Sequence, residues 1–175
     1  LNNQTGLFKV REGIWQLRGF DLSNITLIQG KTGWIVVDTG TSRETSAAAM
    51  AFARQHLGAQ QVSAVVYTHS HVDHFGGVLG VISADEAKSR NVPIVAPAGF
   101  MEEATSENVL MGTAMARRAM YMYGSRLPAN ATGLVSCAGA LCVSCATCLV
   151  LCCAVLCPAG IAKFKDQITE TLYDH

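Results

Sequence analysis

Cysteine is missing from the first 136 of the 175 residues; all seven lie between Cys137 and Cys157. Any site in that long first part must therefore be built without thiolates, and no disulfide framework can hold it. Charge is missing from Leu127 to Ala162, and the whole chain is neutral, with 13 Lys+Arg against 13 Asp+Glu. No basic face suits nucleic acid and no polybasic cluster suits an anionic membrane. A charged substrate would have to be met locally, by a metal or by single arginines. Residues 1–12 lack the apolar stretch of a signal peptide, and the chain starts at Leu1 rather than methionine, so we expect an incomplete N-terminus and leave compartment open. There is no repeat at a period of 20–50 residues. Half of the residues are hydrophobic, which excludes wholesale disorder and fits one domain or part of one.

What is present reads as an α/β pattern. Gly13 to Arg18 alternates like a half-buried strand, Asn24 to Gln29 follows, and a Gly30-Lys31-Thr32-Gly33 turn leads into Trp34 to Asp38. These predict an antiparallel meander. Thr41 or Ser42 can cap a helix through the alanine-rich stretch to about Leu57, with Gly58 as its stop. Val62 to Tyr67 predicts a fourth strand, and Val92 to Ala96 a short one whose Pro93 suits an edge. Phe100 to about Glu107 and Val109 to about Tyr123 read as helical. Met111, Met115, Met120 and Met122 recur at roughly helical spacing, which fits core better than a groove.

The densest chemistry is Thr68-His69-Ser70-His71-Val72-Asp73-His74, directly after the fourth strand. Three of the five histidines fall within six positions, too concentrated for a merely polar loop. A buried strand ending in such a cluster aims several ligands at one point. Imidazole nitrogen and carboxylate oxygen suit zinc, with iron or manganese as close competitors. His69 and His71, two apart in an extended segment, lie on one side and can share a metal. Asp73 and His74, where the chain turns, can face a second metal, and the glycines at 76 and 77 would let the backbone approach closely and turn into a short helix. Two ions about a common water point to metal-assisted hydrolysis. Four ligands cannot complete two such sites, because a catalytic zinc takes three and keeps one position open. His56, near a helix end, reads as a surface residue, and His175 is terminal. Asp38, closing Val36-Val37-Asp38-Thr39-Gly40, is either a structural acid in a turn or a partner that holds an imidazole beside the metal; the second is preferred.

His69 to His74, with Asp38-Thr39-Gly40 upstream, resembles the signature of the metallo-β-lactamase superfamily. Further stretches, including Tyr67-Thr68-His69, Pro97-Ala98-Gly99-Phe100-Met101 and Ser106-Glu107-Asn108-Val109-Leu110, resemble its alkyl sulfatase branch over about residues 12–128. The resemblance implies an αββα sandwich, here incomplete, with one sheet and flanking helices over residues 1–133. It implies two zinc ions, one held by His69 and His71 and the other by Asp73 and His74, with Asp73 also given a catalytic part. It implies hydrolysis of linear primary alkyl sulfates such as dodecyl sulfate to alcohol and sulfate, with the alkyl tail in an apolar groove. Arg117 and Arg118 could meet sulfate or simply face solvent.

The family's other ligands, two glutamates and a histidine, and the region that makes it a homodimer are expected further downstream than this chain extends. Weak or absent sulfatase activity is therefore expected of the 175-residue chain. Residues 134–162 depart from the pattern, and 163–175 form a tail with only a faint resemblance. The interval reads as intruding sequence, as a weak membrane span over 134–159, or, through Cys142, Cys145, Cys148 and Cys152, as an imitation of an iron–sulfur run. Two other functions stay open. One is the same fold acting on a thioester, lactone or β-lactam; the other is a non-catalytic product that binds metal or a membrane.

Overall fold

A computed structural model describes residues 4–123. The division at 133, the interval 134–162 with its span and cysteine readings, the tail and His175 lie outside the described residues. Among those described, no helix is long and apolar enough to cross a membrane.

Six strands form one sheet in chain order: β1 (Gly6–Arg11), β2 (Ile14–Arg18), β3 (Ile25–Gln29), β4 (Trp34–Val37), β5 (Val62–Val66) and β6 (Ile94–Val95). β2 to β4 make the expected antiparallel meander, β1 adds to it a strand that was not expected, and β5 runs parallel to β4 and β6 parallel to β5. β1 is an edge strand that pairs Leu7 with Leu17. The expected strand at 92–96 shrinks to two residues. Pro93 has no N–H to give, although its carbonyl still accepts from Val65 N–H at 3.0 Å.

Between β4 and β5 the chain crosses over through α1 (Arg43–Leu57). Ser42 caps it, its hydroxyl accepting from Thr45 N–H at 3.2 Å, and Glu44 lies in the first turn, where the helix dipole favours an acid. Gly58, at φ +84°, ends it. Ala49, Met50 and Ala53 line one face and are fully buried with Leu17, Ile25, Leu27, Trp34, Val36 and Val65 of the sheet. Small alanines let the helix lie close to the large Trp34.

Beyond β5 come three short helices, α2 (Val72–Phe75), α3 (Val78–Val81) and α4 (Ala84–Ser89), then α5 (Phe100–Thr105), one turn of π-helix (Ser106–Leu110) and α6 (Gly112–Tyr123). α3 packs on α1, and Val81 and Ile82 join its core. The methionine stripe is a correction. Met111 is 54% exposed beside Val109 and Leu110 at 71% and 76%, and Met115 and Met120 are only half-buried. Helical spacing tells which side chains share a face, and here that face is not core. The mixed α/β architecture of one sheet with flanking helices is as expected; the second sheet of a sandwich is not among the described residues.

Candidate metal centre

Two parallel strands end side by side where the histidine segment begins. Val37 pairs with Val66, so Asp38 and Thr68 follow at the same end of the sheet. Asp38 N–H donates to Val66 O at 2.9 Å, and its φ of +59° puts it in the left-handed region, uncommon for a residue other than glycine. That cost is offset by its carboxylate, which is buried and multiply bound. Oδ1 accepts from Thr68 N–H at 2.9 Å, Oδ2 from Thr68 Oγ1–H at 2.9 Å, and Oδ2 from His74 Nδ1–H at 2.7 Å. Asp38 and His74 are each 3% exposed.

Backbone contacts tie α2 to the same segment. His74 O accepts from Thr39 N–H at 2.9 Å, Gly40 O accepts from Gly77 N–H at 2.9 Å, and Ser23 Oγ–H donates to Asp73 O. Glycine at 76 and 77 is required by this close approach: a Cβ at 76 would meet Thr41 O, and one at 77 would meet Thr39 O and Ser46 Oγ. The expectation that these glycines admit the backbone to a metal is corrected. They admit it to the start of α1, because α2 must lie flat on the 39–42 turn to bring His74 to Asp38.

Counting hydrogens places the protons on two of the imidazoles. An ionised carboxylate only accepts, so His74 carries its proton on Nδ1 and presents Nε2 to Asp73, 3.4 Å from Oδ2. Thr68 Oγ1 spends its one hydrogen on Asp38. The contact of 2.9 Å between Thr68 Oγ1 and His69 Nδ1 must then have the ring as donor, which leaves His69 Nε2 unprotonated. One buried carboxylate thus orients two imidazoles, His74 directly and His69 through Thr68. This is the outer-shell arrangement that fixes metal-ligating histidines.

His69 Nε2 faces His71 Nδ1 at 3.0 Å, and the His69 ring centre lies 4.0 Å from that of His74. Burial, then the neighbouring His74 and His71, lower the His69 pKa to about 4, so the ring is neutral at pH 7. For Asp73 burial pulls upward, but the hydrogen bond and charge of His74 with the charge of His71 outweigh it and hold the carboxyl below its ordinary value. Burial pushes the neighbouring Tyr67 hydroxyl up to about 12, so it stays protonated. A neutral His69 beside an Asp73 carboxyl held ionised suits a divalent cation, whose ligands must be deprotonated.

The donor set fits zinc. Two nitrogens about 2.0–2.1 Å from a shared tetrahedral zinc stand roughly 3.3 Å apart, and the His69–His71 pair at 3.0 Å is close to that. Among the described residues no three such side chains already share one coordination point. They meet in pairs, His69 with His71 and Asp73 with His74. His56 stands apart, exposed on the last turn of α1 with its ring 4.2 Å from that of Phe52. Arg117 and Arg118 are exposed on α6.

Sequence reasoning missed Thr68, whose only signal was a hydroxyl next to His69. It also missed Glu107, whose Oε1 lies 3.4 Å from His71 Nε2 and whose Oε2 accepts from Ser70 Oγ–H at 3.3 Å. Nothing in the spacing foretells a contact across 36 positions.

A sheet with a parallel β4–β5 pair and a His-x-His-x-Asp-His turn beyond it defines a class, and residues 18–137 match the model of the metallo-beta-lactamase superfamily. The chain belongs to that superfamily, whose members generally bind metal ions, zinc above all. Within it, the chain is 51% identical over 133 residues to a linear primary-alkylsulfatase of Pseudomonas sp., a stretch covering 76% of this chain and 20% of that protein. It is 43% identical over 137 residues to an alkyl/aryl-sulfatase of Saccharomyces cerevisiae, covering 78% of this chain and 21% of the other. A solved stereoselective inverting sec-alkylsulfatase from Pseudomonas sp. superposes with a TM-score of 0.67 at 48% identity, over 73% of this chain and 20% of that one. The chain spans about a fifth of the length of these relatives.

Proposed function

We propose that residues 4–123 are the metal-binding portion of a zinc-dependent sulfuric ester hydrolase acting on alkyl sulfates, with His69, His71, Asp73 and His74 as metal ligands and Asp38 as the residue that orients His74. The observation that carries this reading is the pairing of His69 with His71 and of Asp73 with His74 just beyond the ends of β4 and β5, in a chain 51% identical over its matched part to a linear primary-alkylsulfatase. Zinc, when bound, supplies Lewis-acid polarisation and water activation. The chain's own residues supply the frame. Asp38 holds the proton of His74 at Nδ1, and Thr68 passes the same constraint to His69 at Nδ1. Asp73 remains an anion beside His74, available as a ligand and as an acceptor for a proton released from water. The rest of a dinuclear site, and the surface that would hold an alkyl tail, would be supplied by further protein of the kind that makes up most of the relatives' length.

The test uses the whole gene product that carries these residues. Release of inorganic sulfate from dodecyl sulfate, lost with a chelator, restored by zinc and abolished by Asp73→Asn, is the expected result. Hydrolysis of a thioester, lactone or β-lactam with no sulfate release would contradict the substrate assignment.

A further inference from the structure

Of the three imidazoles in the cluster, His69 and His74 are tied to Asp38 inside the sheet, and His71 is not. His71 is the exposed one, its side chain at 48%. What it faces on its outer side is Glu107, whose Oε1 lies 3.4 Å from Nε2, while Nδ1 faces His69 Nε2 on the inner side at 3.0 Å. We propose that Glu107 is a positioning residue that accepts the Nε2 proton of His71 and so turns Nδ1, unprotonated, toward the shared metal position. The proposal rests on the metal-centre reading above and adds to it the residue that orients its third imidazole.

Three further observations support it. Glu107 is held in place from its other oxygen, Oε2 accepting from Ser70 Oγ–H at 3.3 Å. Its neighbour Asn108 clamps the same loop, with Nδ2–H donating to Ser70 O at 3.4 Å and to Ala104 O at 2.7 Å. Both residues lie in the π-helical turn Ser106–Leu110, closed by Met111 N–H to Ser106 O at 2.8 Å. A π turn is a rare device found mostly as a single turn near functional sites. Here it keeps Glu107 and its neighbour Asn108 both directed at the histidine loop, where the tighter α-helical turn would rotate them further apart.

The separation of 3.4 Å is longer than a tight hydrogen bond, and hydrogen bonds of this kind are often long in a site without its ligand and tighten in the complex. A carboxylate behind a ligating histidine raises its basicity, and its removal typically costs about 10–100-fold in metal affinity. Glu107 lies on an outer turn, so substituting it leaves the core intact.

Two readouts on the 175-residue chain test this. In the zinc-loaded chain, nitrogen-15 spectra of the imidazoles should show His71 bound through Nδ1 and protonated on Nε2, and in the metal-free chain Glu107→Ala should shift the His71 Nε2 resonance. In a zinc titration against a chromophoric chelator, Glu107→Ala should weaken binding by about 10–100-fold, and Glu107→Gln, which keeps an acceptor oxygen, should fall between it and the parent. An unchanged His71 Nε2 resonance together with unchanged zinc affinity in Glu107→Ala would overturn the proposal. If the parent chain takes up no zinc, the metal-centre reading is decided on the whole gene product, and the response of the His71 Nε2 resonance to Glu107→Ala in the metal-free chain alone decides for or against the Glu107 contact.

Discussion

The inner and outer halves of the candidate metal centre are built on different principles. The inner half, Asp38 with His74 and, through Thr68, His69, sits at the ends of β4 and β5 and is locked by buried hydrogen bonds. The outer half, His71 with Glu107, stands on exposed loops and turns and is held by longer contacts of 3.3–3.4 Å. The inner half therefore belongs to the stability of the fold as much as to its chemistry, whereas the outer half can be altered without touching the core. Mutations should separate the two cleanly.

The largest effect should come from Asp38→Ala. It takes the Asp38 carboxylate away from the buried His74 and forces a left-handed backbone on a residue whose methyl makes none of the carboxylate's hydrogen bonds. Each buried donor left without its acceptor costs about 1–3 kcal/mol, three donors lose theirs here, and urea unfolding of the metal-free chain should register a loss of at least that order. A loss near zero would mean that the buried pair does not hold the inner half. Gly77→Ala comes next. Its methyl must displace Thr39 O and Ser46 Oγ, an overpacking cost of about 1–3 kcal/mol, and the same unfolding curve should show it with zinc affinity weakened as α2 lifts from the 39–42 turn. Glu107→Ala marks the small end of the scale. A surface change of this kind stays within about 0.5 kcal/mol in stability, even as metal affinity falls; a large loss of stability would erase the distinction between the halves.

Acid should expose the inner half too. His69 has its pKa lowered from 6.5 to about 4, so between those values the unfolded chain binds a proton that the folded chain refuses. Its contribution to stability is therefore unchanged above pH 6.5 and falls as pH drops from 6.5 toward 4. Asp73, held below its ordinary 3.8, adds stability above that value which is lost as pH falls through its lowered pKa. The metal-free chain should unfold at lower denaturant at pH 4.5 than at pH 7, and the His69 ring resonances should titrate near 4. A His69 midpoint near 6.5 would show that the ring is not buried among its neighbours.

Much of the inner half was legible in the sequence, and little of the outer. Alternation marked β2, apolar runs and turn residues marked β3 to β5, Ser42 and Gly58 marked both ends of α1, and the density of histidine marked the cluster, because each of these signals is local. β1 escaped because an edge strand with Lys9 and Arg11 on it alternates weakly. The π turn escaped because a turn closed five residues apart has no composition of its own. The methionines of α6 misled because periodicity reports a shared face and not what covers it. Asp38 could be suspected of holding an imidazole, but only the pairing of β4 with β5 selects His74, and only hydrogen counting at Thr68 extends the hold to His69.

The central claim is that the pairs His69 with His71 and Asp73 with His74 are ligands to divalent cations, and X-ray absorption at the zinc edge of the zinc-loaded 175-residue chain tests it most directly. The account predicts a first shell of nitrogen and oxygen at about 2.0–2.1 Å, with the outer-shell scattering of imidazole rings reduced in His69→Ala and His71→Ala. A shell of sulfur near 2.3 Å, or zinc bound without imidazole scattering, would contradict it.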